Sequence, residues 1–477
     1  MKLSFLKNYF YEIIFYALLI WVAGYSLANL TTKPRLWYDE GVNIEIAGNL
    51  ARFGMLDMQI APGVFSELAY TFQATGYPVT VPLAAFFKLF GFGATQARLY
   101  MLLWILAALM SIFFVLKRLM GEKDALCVLS LIATFASFFD NGRAVIGEIP
   151  GFVFVVWALY FWLLKTSYGW SGFFLGLAVA TKPSVYITVF PAIVLALIIL
   201  RDRWFTRSTK IALGALAPML IRIILAMPDP FSLSSWLFVF RLFDNPFGTN
   251  VSVWTYAVQN ILSLPRTVSL VYFSLFMILT LFAWFLLRQK KESSEVYRKF
   301  FIFSMLYILF AFLYYLKSPG WIRYLIGVEL FIFILFVPAL KKVINYFLPN
   351  RILIFYVVIC LLVTIQLVHL FTGAKLYSSR AEEEMAIFIN QEMPDKTVGI
   401  VNIPQIGALI ESSRKFQMWK MVGVPQLGED ILLYRPRLDI LIVANGAVGR
   451  TFQNYPQNPY YLLKTIGRYD IYAVTKE

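Results

Sequence analysis

The feature that most constrains this chain is a series of apolar runs that recurs through its first 370 residues. Each run suits a helix that crosses a hydrocarbon core of about 30 Å, and a helix satisfies its own backbone hydrogen bonds, as lipid requires. We predict about 11 such helices, and at most about 13. The runs are residues 9–30, 96–117, 124–139, 149–165, 169–182, 184–200, 210–227, 265–287, 300–316, 322–340 and 352–370. Hydrophobic residues make up 60% of the chain and charged residues 14%, so the sequence predicts a polytopic α-helical membrane protein.

The orientation of the helices follows from where Lys and Arg collect, because positively charged short loops stay on the cytoplasmic side. Alternate loops carry Lys117, Arg118 and Lys123; Arg201, Arg203, Arg207 and Lys210; Arg288, Lys290, Lys291, Arg298 and Lys299; and Lys341, Lys342 and Arg351. All fall on one side when the N-terminus, with Lys2 and Lys7, is cytoplasmic. An odd number of spans then places the C-terminus outside. We therefore predict a multi-pass protein of the plasma or inner membrane with an extracytoplasmic C-terminal domain.

The net charge of +15 raises the question of a nucleic-acid partner. Residues 372–477 contain 12 Lys+Arg and 11 Asp+Glu, so the basic excess belongs to the spans and their loops. A nucleic-acid binder gathers its positive charge on a solvated face. The distribution favours membrane topology, with membrane lipids as the surroundings and no nucleic-acid partner.

Two domains are predicted, a transmembrane domain over residues 1–371 and a soluble α/β domain over residues 372–477. The first outer loop, residues 31–77, contains two predicted amphipathic helices, at 39–53 and 65–72, and a second long outer loop covers 228–264. The short run 78–90 fits a re-entrant or surface-lying helix. The C-terminal part has a polar helix at 381–391 and strand patterns at 397–401, 438–444 and 469–474. It has no glycine-rich nucleotide motif.

Charged residues at membrane depth are costly and are usually functional or paired. Those that the topology leaves unexplained all lie on the predicted outer face: Asp39, Glu40, Arg143, Glu148, Lys182, Arg222, Arg266 and Arg323. Cations there would hold a phosphate, and a carboxylate would take a proton from an incoming hydroxyl. The pattern favours chemistry on an anionic lipid headgroup.

Each of these residues also has a purely structural interpretation. Asp39 and Glu148 would suit the first turn of a helix, where acidic side chains are favoured. Lys182 and Arg323, with Tyr324 beside it, would suit interfacial anchors, and Arg222 a paired or snorkelling arginine. The single histidine, His369, is interpreted as structural, which argues against a histidine-based metal site. Asp39 and Glu148 would suit a shared divalent cation, but a metal-free site with no cofactor is favoured.

An ordered string of motifs resembles the C-type glycosyltransferases of family 39, which include protein O-mannosyltransferases and lipid A aminoarabinose transferases. The motifs are WYDEG, GYPVTVPLAAFFKLFG, the Ala97-Arg98-Leu99 start of a span, NGRAVIGEIP, GLAVATKPS and GWIRYL. They extend over roughly residues 1–345. The chain departs from the family in having Tyr77-Pro78-Val79 where His-Pro-Pro is common, and Glu148 where Asp is common.

The resemblance implies that the donor is a polyprenyl-phosphate-linked sugar and that the acceptor is a protein, a lipid or a glycan. It implies that Asp39, with Glu40 beside it, and Glu148, the acid of the next outer loop, are the catalytic residues. Lys182 and the Arg323-Tyr324 pair would then contact the donor phosphate. Arg143 and Arg266 are further candidates for the same contact.

Three hypotheses follow. The first is an integral-membrane glycosyltransferase that moves a monosaccharide from a polyprenyl-phosphate donor to an acceptor hydroxyl at the extracytoplasmic face. The second is a transporter or flippase of a lipid-linked glycan, which would be expected to show repeated halves with broken helices at the bilayer midplane. The third is a non-catalytic scaffold whose outer domain binds a partner.

Overall fold

A computed structural model describes residues 2–28, 30–66, 74–226, 231–234, 236–237, 251–287, 295–373, 378–418, 438–445 and 460–474. Up to residue 373 the described elements are mostly helices. They are α1 (Lys2–Ala28), α2 (Tyr38–Phe53), α3 (Tyr77–Phe90), α4 (Ala94–Met120), α5 (Glu122–Ile132), α6 (Ala136–Arg143), α7 (Glu148–Leu159), α8 (Tyr168–Thr181), α9 (Pro183–Tyr186), α10 (Val189–Ile199), α11 (Trp204–Ala226), α12 (Val253–Ser263), α13 (Val268–Leu287), α14 (Glu295–Lys317), α15 (Ile326–Phe347) and α16 (Ile352–Gly373). Every one of the predicted apolar runs overlaps at least one of these helices.

Several of the predicted spans are broken helices. Among the described residues, six helices are long and apolar enough to cross a membrane, and two bent pairs raise that number to eight. One bent pair is α5 with α6, which meet at 71°. Shorter apolar helices include α3 and the segments Glu148–Leu164 and Pro183–Ile199. The predicted class, a polytopic helical membrane protein with a C-terminal α/β domain, is confirmed.

The helix α15 forms the centre of the membrane part. In the span Ile322–Phe347 that includes it, 89% of the most apolar window is buried inside the protein. By contrast, only 17% of the corresponding windows is buried in α1, α11 and α16. The helix α15 is therefore surrounded by other helices, whereas α1, α11 and α16 present most of their surface to lipid. A helix that is apolar all round suits either a protein core or a lipid environment.

Glycines bring α8 and α11 into backbone contact. A Cβ on Gly172 would lie 2.0 Å from the carbonyl oxygen of Ile211, and one on Gly214 would lie 2.1 Å from that of Gly169. Small residues allow such close approach between membrane helices, where dispersion contacts between backbones replace hydrophobic collapse. This contact fixes α8, and with it the Lys182 that follows, against α11.

The first outer loop contains the helix α2 and a two-stranded hairpin of β1 (Gln59–Ala61) and β2 (Val64–Phe65). The helix ends at Gly54, whose left-handed φ of 74° is the conformation that glycine adopts readily. The helix predicted at 65–72 is wrong at Phe65, which lies in β2 because the hairpin turn at Gly63 precedes it. Residues 67–72 lie outside the described part.

In its described residues, the C-terminal domain is a mixed sheet with two helices. Its strands are β3 (Val398–Val401), β4 (Lys415–Met418), β5 (Ile440–Ala444), β6 (Tyr460–Ile466) and β7 (Tyr469–Val474), and its helices are α17 (Ala381–Glu392) and α18 (Pro404–Gly407). The strand order is β4-β3-β5-β7-β6, with β3 parallel to both neighbours and β7 antiparallel to both of its own. The helix and three strands predicted from the sequence are present, and β4 and β6 are additional.

Candidate functional site

The site begins at the first turn of α2. In the motif WYDEG, the first residue is extended and the helix begins at the second. Trp37 has extended φ and ψ angles, and Asp39 and Glu40 occupy the first turn, where the helix dipole favours carboxylates. Oδ2 of Asp39 accepts a hydrogen bond of 2.7 Å from Nη2 of Arg323. The two side chains are 21% and 15% exposed. An ion pair therefore joins the loop after the first span to the start of the central span.

Arg323 holds this position because a 3-10 turn, Ile322–Leu325, directs it out of the start of α15. Its guanidinium carbon lies 4.2 Å from the ring centroid of Trp37, 5.3 Å from that of Trp321 and 5.5 Å from that of Tyr324. Its Nε and Nη1 are buried and have no hydrogen-bond partner among the described residues. The Nη2 atom of Arg323 thus binds Asp39, while the nitrogens Nε and Nη1 remain able to donate hydrogen bonds to another acceptor.

A second ion pair joins Glu148, the first residue of α7, to Lys182, which separates α8 from α9. The Lys182 Nζ lies 3.6 Å from Oε1 of Glu148, and the two side chains are 1% and 0% exposed. Neither Glu148 carboxylate oxygen has a hydrogen-bond partner in the described part of the chain. Arg323 lies within electrostatic range of Glu148 and Lys182. The structure therefore brings Asp39, Glu148, Lys182 and Arg323 into one cluster of alternating charge.

The close approach of two loops builds this second pair. A Cβ on Gly147 would lie 2.7 Å from the Thr181 carbonyl oxygen and 3.1 Å from Cβ of Lys182. Pro183 follows directly, and the residue before a proline is excluded from the α region. Lys182 has φ −147° and ψ 86°, so α8 ends there.

Glu40 has a different environment from its neighbour Asp39. Its two oxygens accept from Nε and Nη2 of Arg98 at 2.8 and 2.7 Å, and both side chains are 0% exposed. Arg98 also donates to the Leu30 carbonyl. This bidentate buried pair fastens α2 to α4. The predicted role of Glu40 beside Asp39 stays a prediction, and its geometry is that of a structural ion pair.

Arg143 and Arg266 are not brought into the central cluster. Arg143 is fully buried, 3.9 Å from Oδ1 of Asp140 and 5.3 Å from the ring centroid of Tyr25. Its three guanidinium nitrogens have no hydrogen-bond partner among the described residues. Arg266 is exposed and ends a 3-10 turn after α12. Within the described residues, neither arginine forms an ion pair with Asp39 or Glu148.

The acidic residues of the cluster do not resemble a closed metal site. Among the described residues, no three His, Cys, Asp or Glu side chains group as metal ligands. Asp39 and Glu148 each already pair with a basic side chain of the protein, Arg323 and Lys182 respectively. A structural zinc site needs four nitrogen, sulfur or carboxylate ligands, and this cluster offers two carboxylates. The residues present do not fit a resident metal of that kind.

The sequence analysis singled out the charges of the site and Tyr324, and it missed the two tryptophans beside Arg323. Trp37 and Trp321 stand inside the quoted motifs WYDEG and GWIRYL, two residues before Asp39 and Arg323 respectively, so their spacing was a usable signal. Arg222, interpreted as paired or snorkelling, donates to the Ala180 carbonyl at 2.6 Å. That contact braces the end of α8.

Comparison with known proteins adds to this geometry. The family model described as dolichyl-phosphate-mannose-protein mannosyltransferase matches residues 79–227, a stretch that includes Glu148 and Lys182 but neither Asp39 nor Arg323. No curated protein matches the chain by sequence.

Solved structures match nearly the whole chain. ArnT from Cupriavidus metallidurans bound to undecaprenyl phosphate has a TM-score of 0.60 at 14% identity, over 98% of both chains. The oligosaccharyltransferase of Archaeoglobus fulgidus in complex with zinc and sulfate has a TM-score of 0.59 at 12% identity, over 97% of this chain and 73% of that one. The same enzyme tethered to an acceptor peptide has a TM-score of 0.56 at 12% identity, over 99% of this chain and 75% of that one.

These likenesses cover the spans and the C-terminal domain together, and the family model covers the segment that supplies the Glu148–Lys182 pair. The chain therefore has the fold of these two transferases, and the match of residues 79–227 to the mannosyltransferase family model agrees with the resemblance predicted from its motifs.

Proposed function

We propose that this protein transfers a monosaccharide, a hexose or a pentose, from a polyprenyl-phosphate donor to an acceptor hydroxyl at the extracytoplasmic face of the membrane. The observation that carries the proposal is the divided role of Arg323, whose Nη2 holds Asp39 while Nε and Nη1 are left without partners. A guanidinium fork matches phosphate oxygens well. One side chain would thus link the base to the leaving group.

In the proposed reaction, the acceptor oxygen attacks the anomeric carbon of the sugar. The bond between that carbon and the phosphate oxygen breaks, and the electron pair leaves with the polyprenyl phosphate. Asp39 takes the acceptor proton as general base, a role that typically contributes about 10²–10⁴-fold to the rate. Arg323 and Lys182 stabilise the negative charge on the departing phosphate in a site that water enters poorly.

Glu148 and Lys182 would act as one unit. Both are almost fully buried, and a buried cation without a partner is strongly unfavourable. Glu148 compensates the charge of Lys182, which lies within electrostatic range of Arg323. On this proposal Glu148 is a positioning residue for the phosphate contact, and Tyr324 shields the guanidinium of Arg323 with its ring.

The related structures support a lipid donor and a separate acceptor in general terms, since one of them holds undecaprenyl phosphate and another an acceptor peptide. An outer-face reaction also has a physical reason. Activated nucleotide sugars are cytoplasmic, so a lipid carrier must present the sugar on the other side. The N-terminus is accordingly proposed to be cytoplasmic and the C-terminal domain extracytoplasmic.

The test is incubation of purified full-length protein in detergent with a panel of polyprenyl-phosphate sugars and peptide, lipid or glycan acceptors. Transfer without any membrane compartment is the expected result, and a flippase is incapable of it. Asp39→Asn should abolish transfer while the protein remains folded. Full activity in that variant would rule out the proposed base.

A further inference from the structure

The C-terminal domain meets the membrane part through a buried charged junction on α2. Glu45, six residues after Asp39, is 2% exposed, and its Oε1 lies 2.9 Å from Nζ of Lys415, also 2% exposed. The Nε2 of Gln417 lies 2.6 and 2.7 Å from the two Glu45 oxygens. The backbone N–H of Gln59 donates to the same carboxylate at 3.2 Å. Both oxygens of the buried carboxylate are thus engaged.

A second contact lies nearer the site. A Cβ on Gly41 would be 2.3 Å from the backbone nitrogen of Gln405 and 2.4 Å from its Cα. The backbones of α2 and α18 therefore touch only two residues after Asp39. No larger residue fits between them, so the separation of the two helices is fixed at this point.

The opposite face of α2 is held by the membrane part. Asn43 donates to the Val145 carbonyl at 2.7 Å and to Oγ1 of Thr75 at 3.0 Å. Glu40 is bound by Arg98. Every residue of α2 from Glu40 to Asn49 is buried, so this helix is enclosed between the transmembrane helices and the C-terminal domain.

A buried ion pair is poor at adding stability but good at specifying one register, because any displacement leaves an uncompensated charge. An apolar junction would tolerate sliding with little loss. Burial lowers the pKa of Lys415, while Glu45 acts in the opposite direction. The junction therefore penalises any shift of α2 along its axis.

We propose that Lys415 and the Gly41 contact make the C-terminal domain a positioning device for the site, holding α2 in the one register that places Asp39 against Arg323. The inference rests on the proposed function for its catalytic part. It assigns a task to a domain that contributes none of the four residues of the central cluster. Lys415 acts through Glu45 and α2 and does not touch the substrate.

The test compares Lys415→Met with Lys396→Met, a control at an exposed lysine of the same domain. In Lys415→Met, kcat should fall by about 10–100-fold, the size of effect that a misplacement of about 1 Å produces. The donor KM should change less than about twofold, because the phosphate contacts remain. Amide hydrogen exchange within residues 38–53 should accelerate. Lys396→Met should resemble the wild type in all three measurements.

The double variant Glu45→Gln/Lys415→Met distinguishes positioning from simple loss of stability. Removing both charges leaves no uncompensated ion, so the unfolding midpoint should recover while kcat stays low. Recovery of kcat together with the midpoint would overturn the inference, as would unchanged exchange in α2 of Lys415→Met. Hydrogen exchange needs no substrate. If the wild type transfers no sugar, the proposed function fails, and exchange still decides whether the junction holds α2.

Discussion

Asp39 and Glu40 are adjacent carboxylates whose neutralisation should have opposite consequences. The Glu40–Arg98 pair is bidentate and 0% exposed, and removing one partner of such a pair costs about 3–5 kcal/mol of folding free energy. The Asp39–Arg323 pair is less deeply buried, with side chains 21% and 15% exposed, so neutralising Asp39 should cost less folding free energy than neutralising Glu40. Glu40→Gln should therefore lower the unfolding midpoint far more than Asp39→Asn.

The two variants should rank in the opposite order when their transfer activities are compared. Loss of a general base slows a reaction by about 10²–10⁴-fold, which is about 3–5 kcal/mol of activation free energy. Asp39→Asn should lose that much transfer activity, whereas Glu40→Gln that remains folded at low temperature should keep most of it. The two variants thus lose similar amounts of free energy, one in the transition state and the other in folding.

The assay pairs transfer from a radiolabelled polyprenyl-phosphate donor with thermal unfolding in the same detergent. Both variants and the wild type are measured at one protein concentration and at a temperature at which all three are folded. An inactive Glu40→Gln with a wild-type unfolding midpoint would refute the reasoning, because it would place Glu40 in the reaction. An Asp39→Asn variant with full transfer activity would also refute the reasoning, because it would exclude Asp39 as the general base.

Three further outcomes are expected. Arg323→Lys keeps the charge but loses the fork, so the donor KM should rise at least about tenfold, as measured by initial rates; an unchanged KM would exclude a phosphate contact. Lys182→Met should destabilise the protein by about 3–5 kcal/mol, and adding Glu148→Gln should restore the unfolding midpoint but not donor binding; restored binding would contradict the assigned role. Gly76→Ala should lower the midpoint, because its Cβ would lie 1.9 Å from the Ala180 carbonyl oxygen; an unaffected midpoint would mean that this turn relaxes freely.

The sequence was most informative about features that recur or that cost energy. Apolar runs of spanning length identified the helices, since lipid demands them. The costly charges Asp39, Glu148, Lys182 and Arg323 were predicted to share one face, and they form one cluster. Each was detectable alone because it is expensive to bury in a membrane.

What the sequence did not provide is the pairing of those charges. Asp39 pairs with Arg323 and its neighbour Glu40 with Arg98, a choice made by the direction in which successive helical residues point. The strand β4 was missed because its Lys415 and Gln417 are polar yet buried, and their partner Glu45 lies about 370 residues earlier. Local patterns carry no information about such distant partners.

The Asp39–Arg323 contact joins residues 284 positions apart in the chain, and this separation bears on how the protein is made. During synthesis, the first outer loop emerges long before the central helix α15 inserts. Contacts of such long range form late, because the intervening chain must first be ordered. A nascent chain therefore lacks the Asp39–Arg323 contact until its tenth predicted span is in the membrane, and fragments that stop short of Arg323 lack it however well their own helices insert.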